Sequence, residues 1–228
     1  MANKVFPGNG DVITLDGPAG AGKSTIARLL AERIGYEYLD TGAIYRGISL
    51  YLSDRNLAPS DRKGIERALE ACDVVLAERR VLINGKDVSG DIRSPEVDRI
   101  VSAYSAVSEV RRFLLKIQRE QSLGRKMVAE GRDMGSVVFP DARVKIYLDA
   151  SLEIRSERRW KEIQARGVDI SLDEVRRQVK ERDRLDSERE ISPLRIPESA
   201  HVIDSSGKKP DAVVEEIMGI ISAAGVRE

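Results

Sequence analysis

The residues from Gly17 to Ser24, Gly-Pro-Ala-Gly-Ala-Gly-Lys-Ser, place two glycines five positions apart and follow the second with a lysine and a hydroxyl. Glycines in such a spacing let the backbone curl until successive N–H groups face phosphate oxygens, and a helix opening there adds positive potential. Lys23 is expected to reach the β- and γ-phosphates. Ser24 is expected to set its hydroxyl on Mg²⁺, and Thr25 to assist at the α-phosphate. Gly17, Pro18, Ala19, Gly20, Ala21, Gly22, Lys23, Ser24 and Thr25 are therefore the expected ATP site. The motif specifies a nucleoside triphosphate and leaves the acceptor open.

Two further groups could handle a second anion. Arg182, Asp186 and Arg189 stand at i, i+4 and i+7, so one helix face presents all three. From composition alone a solvated charged helix would look the same. Arg155, Arg158 and Arg159 share another helical face just before Arg166-Gly167, and planar guanidinium groups bond phosphate oxygens in pairs. Solvated surface arginines are the competing account, and Arg158 is the preferred candidate. Among the acids, Glu130 could hold Mg²⁺ through water. Asp16 reads either as functional or as a cap of the turn, and Asp149 equally as functional or as a cap of the helix starting near Ser151.

Strands and helices in alternation must position these residues. Val12 to Leu15, Tyr36 to Leu39, Lys126 to Glu130, Val144 to Asp149 and His201 to Ile203 read as short strands. Helical spacing at Ile26, Leu29, Leu30 and Ile34 follows the glycine-rich stretch, and Gly35 stands where that helix would end. The alternation predicts an α/β fold with a parallel sheet covered by helices on both faces. Residues 73–90 interrupt it. Two β-prone runs followed by Asn84-Gly85 predict a small antiparallel insertion, because both central turn positions need φ > 0. Ser94-Pro95 opens a helix, and Ser171 with Glu174 forms a capping box for a charged helix reaching about Arg189.

Asp40-Thr-Gly-Ala-Ile-Tyr45-Arg46, Glu130-Gly-Arg132-Asp133-Met-Gly135 and Lys180-Glu-Arg182-Asp183 together resemble bacterial cytidylate kinases, P-loop enzymes that act on nucleoside monophosphates. The resemblance runs from about residue 11 to 205 and includes the inserted hairpin. It implies one kinase domain over residues 1–228. The core spans about 11–40, 124–150 and 168–224, the nucleotide-binding subdomain about 41–120, and a helical lid about 155–168. It also implies that CMP, or dCMP, is held by Thr41, Arg46, Ser102, Arg111, Arg132, Asp133, Arg182, Asp186 and Arg189. Thr41 stands where many members have serine. Arg46 would grip the acceptor phosphate, Ser102, Arg111 and Asp133 would read the base, and Asp186 would bind the ribose. Lys23, Arg132, Arg158 and Arg182 would stabilise the transferred phosphoryl group. The base chemistry agrees: a carboxylate at Asp133 accepts from the cytosine amino group, whereas uracil would present it with a carbonyl oxygen.

An acceptor phosphate is anionic near pH 7 and needs no general base, unlike an alcohol. A shikimate-type kinase with Asp40 as base is one alternative, but a small alcohol hardly needs the inserted hairpin. A regulatory P-loop NTPase is another, and the arginine-rich lid suits a second anionic substrate better. Lid and inserted subdomain are expected to close over the substrates.

Composition fits this reading. Lys and Arg number 38 against 38 Asp and Glu, which gives no support for nucleic-acid or membrane-surface binding. Cys72 is the only cysteine, so no internal disulfide can form, and His201 is the only histidine, so a His/Cys metal cluster cannot form. The N-terminal residues lack the apolar core of a signal peptide. A cytoplasmic monomer is the expectation.

Overall fold

The computed structural model describes residues 11–77 and 80–225; most of the N-terminal stretch read above lies outside them. The chain divides into two compact units. The larger holds residues up to Leu39, Gln121–Glu188 and those from Ser192, and the smaller holds Asp40–Glu120 with Arg189–Ile191.

The larger unit is built on a five-stranded sheet. Its strands are β1 (Val12–Asp16), β2 (Glu37–Asp40), β6 (Met127–Glu130), β7 (Val144–Asp149) and β8 (His201–Asp204), in the order β2-β6-β1-β7-β8. β1 lies parallel to β6 and to β7, with Ile13 opposite Val128 on one side and Val144 on the other, and β7 lies parallel to β8. Every residue of β1 and β6 is buried, as expected for central strands of a parallel sheet. Ile13, Leu15, Val128, Ile146 and Leu148 form the core with Ile26 and Leu30 of helix α1 (Lys23–Ile34) and with Val213 and Ile217 of helix α8 (Pro210–Ala223). Gly35 ends α1 at φ 67°, a left-handed conformation that its missing Cβ permits. Helices α6 (Leu152–Gln164) and α7 (Leu172–Glu188) complete this unit. Ser151 caps α6 and the Ser171 hydroxyl takes the N–H of Glu174, so both starts follow the capping rule. α7 stops at Glu188, and Arg189 stands one residue beyond it.

The smaller unit carries the antiparallel sheet β3 (Val74–Ala77), β4 (Arg80–Ile83) and β5 (Lys86–Asp87). Asn84 and Gly85 turn at φ 50° and 77°, and the Asn84 side chain takes the N–H of Asp73 at 2.7 Å. Around it lie α2 (Thr41–Ser53), α3 (Arg62–Glu70), α4 (Pro95–Ser105) and α5 (Ser108–Gln121). Ser94 caps α4 through the N–H of Val97.

Candidate active site

β1 runs directly into the glycine-rich turn, and α1 starts as the turn ends. Gly17 adopts φ 148°, and a Cβ there would lie 2.0 Å from the Leu148 carbonyl oxygen of β7. A Cβ on Gly20 would lie 2.7 Å from the Arg155 carbonyl oxygen of α6. Close backbone approach therefore requires glycine at both positions. Gly22 supplies no side-chain cap and no acid stands in the first turn of α1, so the leading N–H groups of the helix are left for an outside anion.

Lys23 is buried, and its ammonium group donates to the Pro18 carbonyl at 2.7 Å. Burial pushes its pKa well below the usual lysine value; Arg132 and Arg182 push the same way, and Glu130 and Asp186 oppose them. A triphosphate arriving here would compensate a charge that the protein alone only partly balances. Ser24 and Thr25, just beyond, are exposed.

Glu130 ends β6, buried, and accepts a short hydrogen bond from the Tyr38 hydroxyl of β2. Among the described residues no group of three or more His, Cys, Asp or Glu could hold a metal by itself. The Glu130 carboxylate is of the oxygen class that Mg²⁺ takes, an ion that needs only one or two protein oxygens beside phosphates and water.

The chain then turns through residues 130–135, and distant side chains shape that turn. Asp16, fully buried at the end of β1, accepts the N–H groups of Met134 and Gly135, each at 2.8 Å. Burial raises its pKa from 3.8 to about 6; the two N–H groups and Lys23 work against the rise, while Asp133 adds to it. Asp16 thus caps a distant turn, not the glycine-rich one next to it, and fixes the loop that bears Arg132 and Asp133. Arg132 donates from Nε to Asp186 of α7 at 2.8 Å, and Asp133 is buried at the start of a short π-helical turn, Met134–Val138. Met134 packs in the core. Arg182 is half-buried on α7.

The arginines of α6 lie against the glycine-rich turn. Arg155 is buried; it donates to the Ala150 and Ala19 carbonyls at 2.9 and 3.1 Å and pairs with Asp183 of α7. Arg158 donates to Ala21 O, Ser205 Oγ and Ser205 O, at 3.3, 3.0 and 2.8 Å. Arg159 pairs with Glu162 along its own helix. The cap of α6 is Ser151, while Asp149 takes the N–H of Ala150. Ser205 and Tyr38 carry no motif signal in the sequence, and Asp183 stands in the Lys180–Asp183 motif without an assigned role.

In the smaller unit Asp40 caps α2 by accepting from Ala43 N at 2.9 Å, and Thr41 is buried in the first turn. Arg46 donates to Asp98 at 2.5 Å and to the Ile92 carbonyl at 3.2 Å. Arg111, buried on α5, donates to the Ser105 carbonyl at 3.1 Å and lies 5.3 Å from the centre of the Tyr45 ring. Ser102 is half-buried on α4, and Arg189 is likewise partly covered.

Known proteins match this sequence along nearly the whole chain. A family model described as Cytidylate kinase matches residues 13–223, beyond the span that the quoted motifs cover. A cytidylate kinase of Carboxydothermus hydrogenoformans is 46% identical over 213 residues, covering 92% of this chain and 96% of that protein. One from Thermotoga neapolitana is 46% identical over 210 residues with the same coverage. A solved structure of an uncharacterized protein from Eubacterium ventriosum shares the fold at a TM-score of 0.52 and 12% identity, covering 93% of this chain and 98% of that one. On the strength of the family match and of relatives that align almost end to end, the chain belongs to the cytidylate kinase family.

Proposed function

We propose that the protein transfers the γ-phosphoryl group of ATP to CMP, and to dCMP, giving the diphosphate and ADP, as a cytoplasmic monomer. The observation that carries this reading is a desolvated lysine under a glycine-built cradle, joined through Asp16 to the loop that bears Arg132 and Asp133. Residues 17–25 take the triphosphate, with Lys23 at the β- and γ-phosphates. Thr41, Arg46, Ser102, Arg111, Arg132, Asp133, Arg182, Asp186 and Arg189 are assigned to the nucleotide acceptor. Asp133 and Arg111 read the cytosine edge, and Arg46 grips the phosphate.

No side chain need take a proton, because the acceptor is already an oxyanion. Catalysis then consists of bringing two anions into line and of stabilising charge on the phosphoryl group in flight. Arg132 and Arg182 supply positive charge from the acceptor side, and Lys23 from the donor side. Ser24, with Glu130 through water, would hold Mg²⁺. The ion held there would supply positive charge against the triphosphate. Asp40 already serves as the cap of α2, which counts against its use as a base on an alcohol.

A coupled ADP-release assay across CMP, dCMP, UMP, AMP and shikimate tests the reading. CMP and dCMP should turn over fastest, and ADP release without any acceptor would sink it. Asp133→Ala should raise the KM for CMP far more than that for ATP; equal effects would remove Asp133 from base recognition.

A further inference from the structure

The arginines of α6 approach the glycine-rich turn at its carbonyl oxygens. Arg155 Nη1 bonds Ala19 O at 3.1 Å, and Arg158 Nη1 bonds Ala21 O at 3.3 Å, with the Ser205 hydroxyl on the same oxygen at 3.0 Å. In a planar trans peptide the C=O and the following N–H point in opposite directions. Drawing the Ala19 carbonyl toward α6 therefore turns the N–H of Gly20 away from it, and drawing the Ala21 carbonyl does the same for the N–H of Gly22. The peptide before Ala19 is fixed as well. Its N–H is 3.3 Å from Asp183 Oδ1, and its carbonyl, on Pro18, accepts from the Lys23 ammonium group.

We infer that Arg155 with Asp183, and Arg158 with Ser205, are positioning residues that hold alternate carbonyls of the cradle outward, so that the N–H groups of Gly20 and Gly22 face the triphosphate. This rests on the phosphotransferase reading above and gives the α6 arginines a role distinct from direct phosphate contact. A glycine-rich segment needs such bracing, because glycine populates both signs of φ with little penalty and its peptides flip readily. The Arg155 guanidinium is already occupied by Ala150, Ala19 and Asp183, which suits a brace. Asp183 also neutralises the buried charge and ties α7 to the same point. Three residues along, Asp186 holds Arg132, so one helix steadies both the donor cradle and the loop that carries Arg132.

The test is donor affinity measured by calorimetry with Mg·ADP, alongside steady-state kinetics, for Asp183→Asn, Arg155→Met and the double variant. Asp183 is partly exposed, so Asp183→Asn should fold even if Arg155→Met does not, and a thermal melt checks this. Each single change should weaken ADP binding by about tenfold or more, the worth of a hydrogen bond to a charged group. The KM for CMP should stay within about twofold, and the double variant should lose no more than Arg155→Met alone. In ¹⁵N spectra, the Gly20 and Gly22 amide signals should move when ADP binds the wild type and move much less in the variants. Unchanged ADP affinity, additive losses, or a loss appearing first in the CMP KM would each overturn the inference. So would tighter ADP binding in Asp183→Asn, because the carboxylate would then be a stand-in for phosphate. Calorimetry with ADP needs no acceptor, so its result stands apart from whether wild-type enzyme turns over CMP.

Discussion

The two loops that leave the C-terminal ends of β1 and β6 in the larger unit differ in what limits their paths. Residues 17–24 are confined by backbone crowding backbone, since a Cβ at Gly17 or Gly20 would overlap carbonyl oxygens of Leu148 and Arg155, and distant side chains then bond their carbonyls. Residues 130–135 are hung from side chains that arrive from far along the sequence, Asp16 on one side and Asp186 on the other. Added atoms break the first loop outright and lost partners only misaim it, whereas lost partners are what break the second. That difference teaches where tolerance lies, since steric exclusion is absolute whereas a hydrogen bond can be weakened in steps.

The harshest way to break the comparison is Gly17→Ala. An added methyl carbon 2.0 Å from a backbone oxygen of a central strand has nowhere to go, at a φ of 148° that alanine rarely adopts. Overpacking commonly costs about 1–3 kcal/mol, and an immovable strand should bring this case to the upper end or beyond. The expected outcome is an inactive protein with a lowered melting temperature; an active variant with a wild-type melt would show that the turn is looser than its geometry implies.

Lys23→Met separates chemistry from shape in the same loop. The lysine's burial means that an apolar stem of similar length should be accepted, and removal of a desolvated charge should leave the fold as stable or more so. The rate should nonetheless fall by on the order of 10²–10³, the usual loss for one preorganised donor at a developing charge. Circular-dichroism melts read beside kcat would check both halves. A fall in rate that merely tracked unfolding would refute the division.

These two loops also explain what the sequence could reveal. The glycine-rich turn, the five strands, the Asn84-Gly85 hairpin and the caps at Ser94 and Ser171 depend on neighbours within a few residues, so local spacing exposes them, whereas the cap of α6 is Ser151 and not Asp149 two residues earlier. Asp16 could be marked only as ambiguous, because the groups it binds lie 118 and 119 positions away. The arginines of α6 are the sharper lesson. A guanidinium near a phosphate loop reads as an anion ligand, and helical periodicity gives no sign that Arg155 and Arg158 also bond carbonyl oxygens of that loop.

Asp16→Asn attacks the second loop. An amide can accept one of the two N–H groups but turns its own donors toward the other, so a buried N–H is left facing a donor. The pH dependence carries a signature. Burial, with Asp133 adding and Lys23 and the two N–H groups opposing, lifts the Asp16 pKa from 3.8 to about 6, so the folded state holds this proton more tightly than the unfolded one. The stability linked to that proton is fully present below about pH 4 and is lost as pH rises to about 6, by roughly 3 kcal/mol in all. Urea titrations of wild type and Asp16→Asn should therefore converge across that window and run parallel above it. A constant difference would mean that Asp16 titrates like an exposed carboxylate.

The gentlest break is Tyr38→Phe, which removes the hydroxyl that donates to Glu130 and leaves the ring in place. Glu130 would keep its place at the end of β6 but lose a partner that fixes its carboxylate. If Glu130 orders a water on Mg²⁺, the effect should be a few-fold rise in the Mg²⁺ concentration needed for half-maximal rate, in line with about 0.5–1.5 kcal/mol for one hydrogen bond. The KM for CMP should not move. A variant whose Mg²⁺ requirement matched the wild type would leave Glu130 as a buried partner of Lys23 and Arg132, acting through charge alone. The two outcomes differ because charge survives the loss of the tyrosine hydroxyl and orientation does not.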